Sequence, residues 1–381
     1  MHRPVDLATL AARGVRSPAP EALPNGERST PSAEPLYQTS VFDFADVESS
    51  EGPLRGEGDG YSYARIRHPN GRSLELTVAA LEGAQDALAT SSGMSALGCA
   101  LLAGATTGDR VLCQDDAYGG TRSLLDNHLA RFGVTVEYVR ATDPACVAAA
   151  LDRPARVLLV ETLSNPLLRE VDLPALAALC HARGVLLLVD NTFATPILRR
   201  PLEQGADLVI HSATKFLGGH HDLTAGVLAG SHTLIGAARS LSIALGVQAA
   251  PLDAWLACRG IRTLDLRMKR AEETARALAA RLRADVRVRA VHFPGWGPLV
   301  SFELDGDAAA RRTVRALAPI ELTPSLGGTA TGVSHPATSS HRDMAPEARR
   351  ALGIADGLLR LSVGLETETD LWADLDHALG A

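Results

Sequence analysis

The residues of this 381-residue chain best suited to covalent chemistry lie between Asp207 and Asp222, in the run DLVIHSATKFLGGHHD. An apolar strand ends there in small hydroxyl residues, followed by a lysine and then by glycines. Held at such a strand end and partly desolvated, Lys215 would be shifted toward the neutral amine that Schiff-base chemistry requires. Ser212 and Thr214, a few residues before it, are hydroxyl donors suited to holding a phosphate beside that amine. A second apolar strand, in GVLLLVDNTF, stops at Asp190, a carboxylate able to keep a ring nitrogen protonated and so make the ring an electron sink. A third strand end, Thr90-Ser91-Ser92-Gly93-Met94-Ser95, leads into a helix whose exposed amides and dipole suit a phosphate, with Gly93 allowing close approach. A fourth sets Tyr118 beside Gly119 and Gly120, where its ring could stack on a planar ligand. Each motif alone has an ordinary alternative: a solvated surface lysine, a cap or turn at Asp190, a capped helix, a plain turn. Their value lies in their number.

Strand ends of an α/β sheet are where ligands bind, so the elements that carry these residues matter. From Gly83 onward, short apolar runs alternate with amphipathic segments, the pattern of a mostly parallel sheet flanked by helices. The runs predict seven strands: Ala87–Ser91, Arg110–Cys113, Val134–Arg140, Arg156–Glu161, Val185–Asp190, Asp207–Ser212 and Gly226–Ala229. Helices are expected over Met94–Ala103, Arg122–Arg131 and Leu173–Arg183, where apolar residues recur at helical spacing. Residues 1–60, rich in Pro, Ser, Gly and Glu, read as an extended arm, with an apolar patch from Leu36 to Phe44. Residues 61–250 read as the large sheet domain. Residues 251–381, with helices over Leu252–Ala284, a strand at Leu299–Leu304 and a helix at Asp307–Leu317, read as a smaller α+β domain.

Composition narrows the function. A hydrophobic content of 46% supports a large core, and a net charge of -7 without a basic stripe argues against nucleic acid as a partner. Cys99, Cys113, Cys146, Cys180 and Cys258 form no CxxC pair, which fits a reducing cytoplasm better than a disulfide framework or a zinc knuckle. No apolar run suggests a signal peptide or a membrane span. Neither His220-His221-Asp222 nor His335 with His341 has the spacing of a metal site, and no metal is expected.

Taken together, these motifs resemble the Cys/Met-metabolism family of pyridoxal-phosphate enzymes, the group of cystathionine γ-synthase and cystathionine γ-lyase. The resemblance runs from PLYQTS at Pro35 to LLRLS at Leu358, with SGMSA, ETLSNPLL, VDNTFATP and SATKFLGGH in the family's order. It implies fold type I of the pyridoxal-phosphate transferases, a large mostly parallel seven-stranded sheet with a smaller C-terminal α+β domain. It implies that Lys215 carries pyridoxal 5′-phosphate as a Schiff base, Asp190 pairs with the pyridine nitrogen and Tyr118 stacks on the ring and assists proton transfer. Gly93, Met94, Ser212 and Thr214 would hold the phosphate. The pair Tyr63 and Arg65, in Tyr-Ala-Arg, would reach it from a neighbouring subunit, so the active unit would be at least a homodimer, with a homotetramer expected. Arg360 would grip the carboxylate of a small amino-acid substrate, helped by Asn165 and Ser325.

The implied chemistry is γ-elimination or γ-replacement on sulfur amino acids or activated homoserine, of the cystathionine γ-lyase or γ-synthase type. O-acetylhomoserine sulfhydrylase, cystathionine β-lyase and a specialised γ-eliminase are the enzymatic alternatives, and a non-catalytic relative is the alternative of another class. Four departures from the family pattern bear on substrate choice. Pro324 stands where a glutamate often precedes Ser-Leu-Gly-Gly. Gly120 stands where methionine γ-lyases usually place a cysteine, only GWGP separates Pro294 from LVSFEL where the family usually has a longer segment, and His68-Pro69-Asn70 replaces Asn-Pro-Thr.

Overall fold

The computed structural model describes residues 6–16, 31–55, 58 and 60–381. Residues 1–5, 17–30, 56, 57 and 59, part of the stretch read as an arm, lie outside the described residues. The seven expected strands form one sheet: β1 Asp86–Thr90, β2 Arg110–Gln114, β3 Thr135–Val139, β4 Val157–Glu161, β5 Leu186–Asp190, β6 Leu208–Ser212 and β7 Gly226–Gly230. Their order is β1-β7-β6-β5-β4-β2-β3. Strand β7 runs antiparallel to both its neighbours, β1 and β6, and the other pairs are parallel. The β6–β7 connection, which carries Lys215, contains no crossover helix, so the chain doubles back along the sheet.

The second sheet, in the order β10-β11-β12-β9-β8, joins β8 Ala290–His292, β9 Leu299–Glu303, β10 Glu321–Leu322, β11 Gly332–Ser334 and β12 Leu358–Ser362. Phe302, Leu359 and Leu361 on its strands bury against Leu278, Leu282 and Leu375 of the helices Leu264–Ala284 and Glu368–Leu379. The large sheet is covered on both faces by separate apolar clusters. This is why its strands read as continuous apolar runs rather than alternating ones. Among the described residues, no helix is long and apolar enough to cross a membrane.

Local differences from the sequence reading have physical causes. The helix expected over Arg122–Arg131 instead spans Gly119–Asn127, followed by a 3-10 turn at Leu129–Phe132. The Tyr118 amide donates to Glu161 Oε1 at 2.6 Å, which fixes the chain so that two glycines of poor helix propensity enter the first turn. The stretch read as extended contains the helices Leu7–Arg13 and Val47–Arg55.

The sequence patterns also miss the helix Pro69–Glu82. It is buried almost all round, begins with Pro69 behind the His68 cap and stops at Gly83, whose φ is 72°. Its unusual start has a structural use. His68 Nδ1 accepts from the Gly71 amide, and the buried Asn70 accepts from the Tyr37 amide at 2.9 Å and donates to the Pro35 carbonyl. That ties the arm to the body.

The same helix meets β1 through a half-buried ion cluster. Arg72 and Arg239 both contact Glu75 and Asp86, and Arg239 also donates to the Ala87 carbonyl. Burial pushes the Asp86 carboxyl up, but the hydrogen bond from Arg72 and the charges of Arg239 and Arg72 outweigh it and leave it below the usual value. Stability from this group is therefore present above the unfolded carboxylate pKa and is lost as pH falls through the folded one. Asp86→Asn should lower stability at pH 7 by about 1.5–3 kcal/mol, the scale of hydrogen bonds to charged groups. The deficit against wild type should vanish in strong acid, as urea midpoints at the two pH values would show.

Candidate active site

Three parallel strands end side by side at one edge of a cavity of about 220 Å³. Strand β4 delivers Glu161, β5 delivers Asp190 and β6 delivers Ser212, with Lys215 just beyond. Glu161 and Asp190 are register partners. Across from them, the helix Gly93–Gly104 presents its N-terminus, capped by Ser92, whose Oγ accepts from the Ser95 amide at 3.1 Å. The fit is tight enough to require glycine there, since a Cβ on Gly93 would lie 2.7 Å from Ser212 Cβ.

Lys215 Nζ donates to Ser325 Oγ at 2.7 Å. Burial, with the nearby Arg360 charge as a second cause, holds its amine below the ordinary lysine pKa. Ser325 is brought over the lysine by the turn at Gly327. Its φ is 82°, and a Cβ there would sit 2.6 Å from the Phe216 amide nitrogen. Asp190 is raised by burial, and that rise is opposed by the Thr192 hydroxyl, at 2.5 Å, by the Thr192 amide, at 3.0 Å, and by the charge of His211. Thr192 Oγ1 also accepts from the Ser212 amide, so one side chain locks β5 to β6 at the cavity floor.

The small sheet contributes Arg360 from β12, only 3% exposed. One end of its guanidinium donates to Asn165 Oδ1 at 2.5 Å, while Nε is buried without a partner. Burial lowers its pKa to about 10, against a small opposing effect from Tyr118. A buried donor left over on a positioned guanidinium is what a substrate carboxylate would complete.

The structure thus gathers Lys215, Asp190, Tyr118, Gly93, Met94, Ser212, Thr214, Asn165 and Arg360 around one cavity, with Ser325 on the lysine. Tyr63 and Arg65 lie apart from it in the same chain. Tyr63 is 42% exposed and bridges Val41, and Arg65 donates to the Ile243 carbonyl.

Sequence reasoning missed Glu161, Thr192, Ser339 and Ser340, all of which line the cavity. The strand-end rule that singled out Asp190 would have found Glu161 as well. Pro324 is in the cavity wall, and a Cβ on Gly120 would lie 2.5 Å from the Tyr118 ring. Trp296 of the shortened loop donates to Glu170 and stacks under Arg199. The histidines make these hydrogen bonds: His220 contacts the Gly218 carbonyl, His221 the Leu326 carbonyl, His335 the Asp356 carbonyl and His341 Nδ1 the Ser340 hydroxyl, while His341 Nε2 is buried without a partner.

A primary amine, a carboxylate at the opposite side, neutral donors at a helix N-terminus and an unsatisfied guanidinium fit pyridoxal phosphate with an amino acid beside it. Over residues 21–380 the chain matches the family described as Cys/Met metabolism PLP-dependent enzyme. The chain belongs to this family. Its cofactor is therefore pyridoxal 5′-phosphate, and its fold is that of the cystathionine synthase and lyase structures. The O-succinylhomoserine sulfhydrylase of Pseudomonas aeruginosa is 38% identical over 380 residues, covering 94% of each protein. The cystathionine gamma-synthase/O-acetylhomoserine (thiol)-lyase of Bacillus subtilis is 40% identical, covering 91% of this chain and 90% of that protein. The L-methionine gamma-lyase of Pseudomonas putida is 39% identical, covering 91% of this chain and 92% of its own length. The crystal structure of cystathionine gamma synthase from Xanthomonas oryzae pv. oryzae in complex with cystathionine superposes with a TM-score of 0.91. It is 36% identical and covers 99% of this chain and 98% of that one. Synthases, sulfhydrylases and lyases are about equally similar, so identity does not choose among them.

One other lysine, the exposed Lys269, is present in the whole sequence. Borohydride reduction of the protein with pyridoxal phosphate bound, followed by peptide mapping, should find the adduct on Lys215 and not on Lys269. Lys215→Ala should lose the visible absorption band, whereas a colourless wild type would overturn the assignment.

Proposed function

We propose that the protein catalyses γ-elimination or γ-replacement on small amino acids with a sulfur or activated-oxygen leaving group at Cγ, in the manner of a cystathionine γ-lyase or γ-synthase. The observation that carries this reading is that a half-buried lysine amine, bonded to the neutral hydroxyl of Ser325, and a buried arginine with an unused donor line the same cavity. When bound, the cofactor supplies an electron sink for charge developing on the substrate carbons. Arg360 holds the substrate carboxylate, and Asn165 fixes the guanidinium so that its unused donors face the cavity. Lys215 Nζ takes the proton from Cα, and Ser325 keeps the amine aimed there. Asp190 keeps a proton on the ring nitrogen. Ser212, Thr214 and the amides of Gly93 and Met94 hold the phosphate, and Tyr118 covers the ring and serves proton transfer near the leaving group. On the domain division read from sequence, residues 61–250 would hold the cofactor while residues 251–381 supply Ser325 and Arg360.

The phosphate-binding donors in the cavity are all neutral, which leaves a doubly charged group short of a cation. We assign the charge to Arg65 of a second copy, with Tyr63 beside it as a further hydroxyl donor. Leu36, Val41, Tyr63 and Leu245 are exposed apolar residues, Val41 and Tyr63 bridged to each other, of the kind a contact between copies would bury. A dimer is the minimum unit on this reading, with dimers pairing into a tetramer in the cytoplasm. A sulfhydrylase acting on an acylated homoserine is the second reading, favoured by Pro324, which offers a distal ammonium no charge.

Incubation with cystathionine, O-acetylhomoserine, O-succinylhomoserine, homocysteine and methionine should release 2-oxobutanoate from at least one of them. Pyruvate from cystathionine with no 2-oxobutanoate from any would overturn γ-chemistry. Arg360→Lys should reduce kcat/KM by about tenfold to a hundredfold through loss of charged hydrogen bonds, without changing the visible band.

A further inference from the structure

On the face of the large sheet turned away from the cavity, three polar side chains meet inside the core. Glu82, the last residue of the helix Pro69–Glu82, and His211 of β6 are both 0% exposed. His211 Nε2 lies 2.7 Å from Glu82 Oε1, and Asn191 Nδ2 donates to the same oxygen at 3.1 Å. Asn191 is itself held, its Oδ1 accepting from Thr162 Oγ1 at 2.7 Å and its Nδ2 donating to the Arg199 carbonyl at 2.9 Å.

Strand alternation explains the placement. Asp190 and Ser212 face the cavity, so Asn191 and His211, the adjacent residues, face away from it. Glu82 therefore grips β5 and β6 one residue from each of the groups that build the site.

A buried carboxylate and imidazole are costly to hold in a core unless they serve each other, and here they do so incompletely: Glu82 Oε2 and His211 Nδ1 have no partner. A pure packing role would be met better by apolar side chains. What the pair supplies is position and field. From behind the sheet His211 contributes a Coulombic effect that lowers the Asp190 pKa, against the larger rise from burial. The other charges around these elements are placed differently. Arg200 packs against Gly83 and pairs with Glu203, Glu161 stands beside Asp190, and Lys215 and Arg360 lie on the cavity face.

We propose that Glu82 and His211 are positioning residues for the cofactor's ring nitrogen: tied to β5 through Asn191, the buried pair holds Asp190 in place beneath it. This rests on the reading that Asp190 pairs with that nitrogen. Holoenzyme loaded with ring-15N pyridoxal phosphate tests it by the nitrogen resonance and by the pH at which the visible band changes. Glu82→Gln and His211→Asn should move the resonance from the protonated toward the unprotonated position, in the direction of Asp190→Asn. They should also weaken cofactor binding by about 10–100-fold, the effect typical of partners behind a ligating group. Should either single variant fail to fold, the double variant Glu82→Met with His211→Phe removes both buried polar groups together and keeps the core filled. A resonance unmoved in folded brace variants, while Asp190→Asn shifts it, overturns the proposal alone. A resonance unmoved by Asp190→Asn overturns the Asp190 assignment and the proposal with it.

Discussion

The amine of Lys215 is half-buried with one hydroxyl for company and, among the described residues, no carboxylate within ion-pair distance. An ammonium in that position is penalised by lost hydration and by the nearby guanidinium of Arg360, so the amine is held below the ordinary lysine pKa and more of it is available as the neutral nucleophile. Much of the architecture serves to impose this condition. The β6–β7 turn must enter the interior, Gly327 must lie against its backbone, and Ser325 must offer an acceptor without offering charge. An aspartate in place of Ser325 would satisfy the hydrogen bond and stabilise the ammonium, which would defeat the purpose.

The carboxylates show the complementary problem. Glu161 and Asp190 end adjacent strands, and each is raised chiefly by burial, Glu161 also by the charge of Asp190. The surroundings separate them. Asp190 receives two hydrogen bonds from Thr192 and the field of His211, whereas Glu161, which receives the Tyr118 and Asn165 amides, sits beside two acids, Asp190 and Asp116. Neighbours that push two like groups apart in proton affinity let one stay charged beside the other. On this view Glu161 is chiefly a fastener, pinning Tyr118 where its ring can cover the cavity.

The cavity-facing half of this arrangement was legible in the sequence because strand ends are readable. An apolar run that stops at Asp190, or at Ser212 with a lysine soon after, combines a periodicity signal with an unexpected residue type. What failed to show has physical reasons. Strand direction leaves no mark on hydrophobic periodicity, so the antiparallel β7 could not be distinguished from its neighbours. The helix Pro69–Glu82 is buried on nearly every side and has no polar stripe to betray its period. Glu82 and His211 look like one charged residue at a helix end and one histidine in a strand, and 129 positions separate them in the chain. Their relation exists only once helix and sheet pack. Arg360 has the same character: its strand reads as core, and its importance rests on Asn165, 195 positions away.

The division of labour between the two sheets follows from charge. Within the cavity the cationic residues are Lys215 and Arg360, and the donors aimed at a phosphate are hydroxyls and amides. Arg360 is engaged by Asn165 and has its remaining donors to give to a carboxylate, while Lys215 must lose its charge to react. Neither can neutralise a phosphate, and a helix N-terminus contributes only about half a charge. The missing cation has to come from outside the cavity's own residues. On the proposed reading it comes from Arg65 of a second copy, a residue that lies on exposed surface over the Tyr63 ring and donates to the Ile243 carbonyl. On that reading catalysis would be coupled to assembly, since a lone chain would hold the ring and the substrate carboxylate and still bind the phosphate weakly.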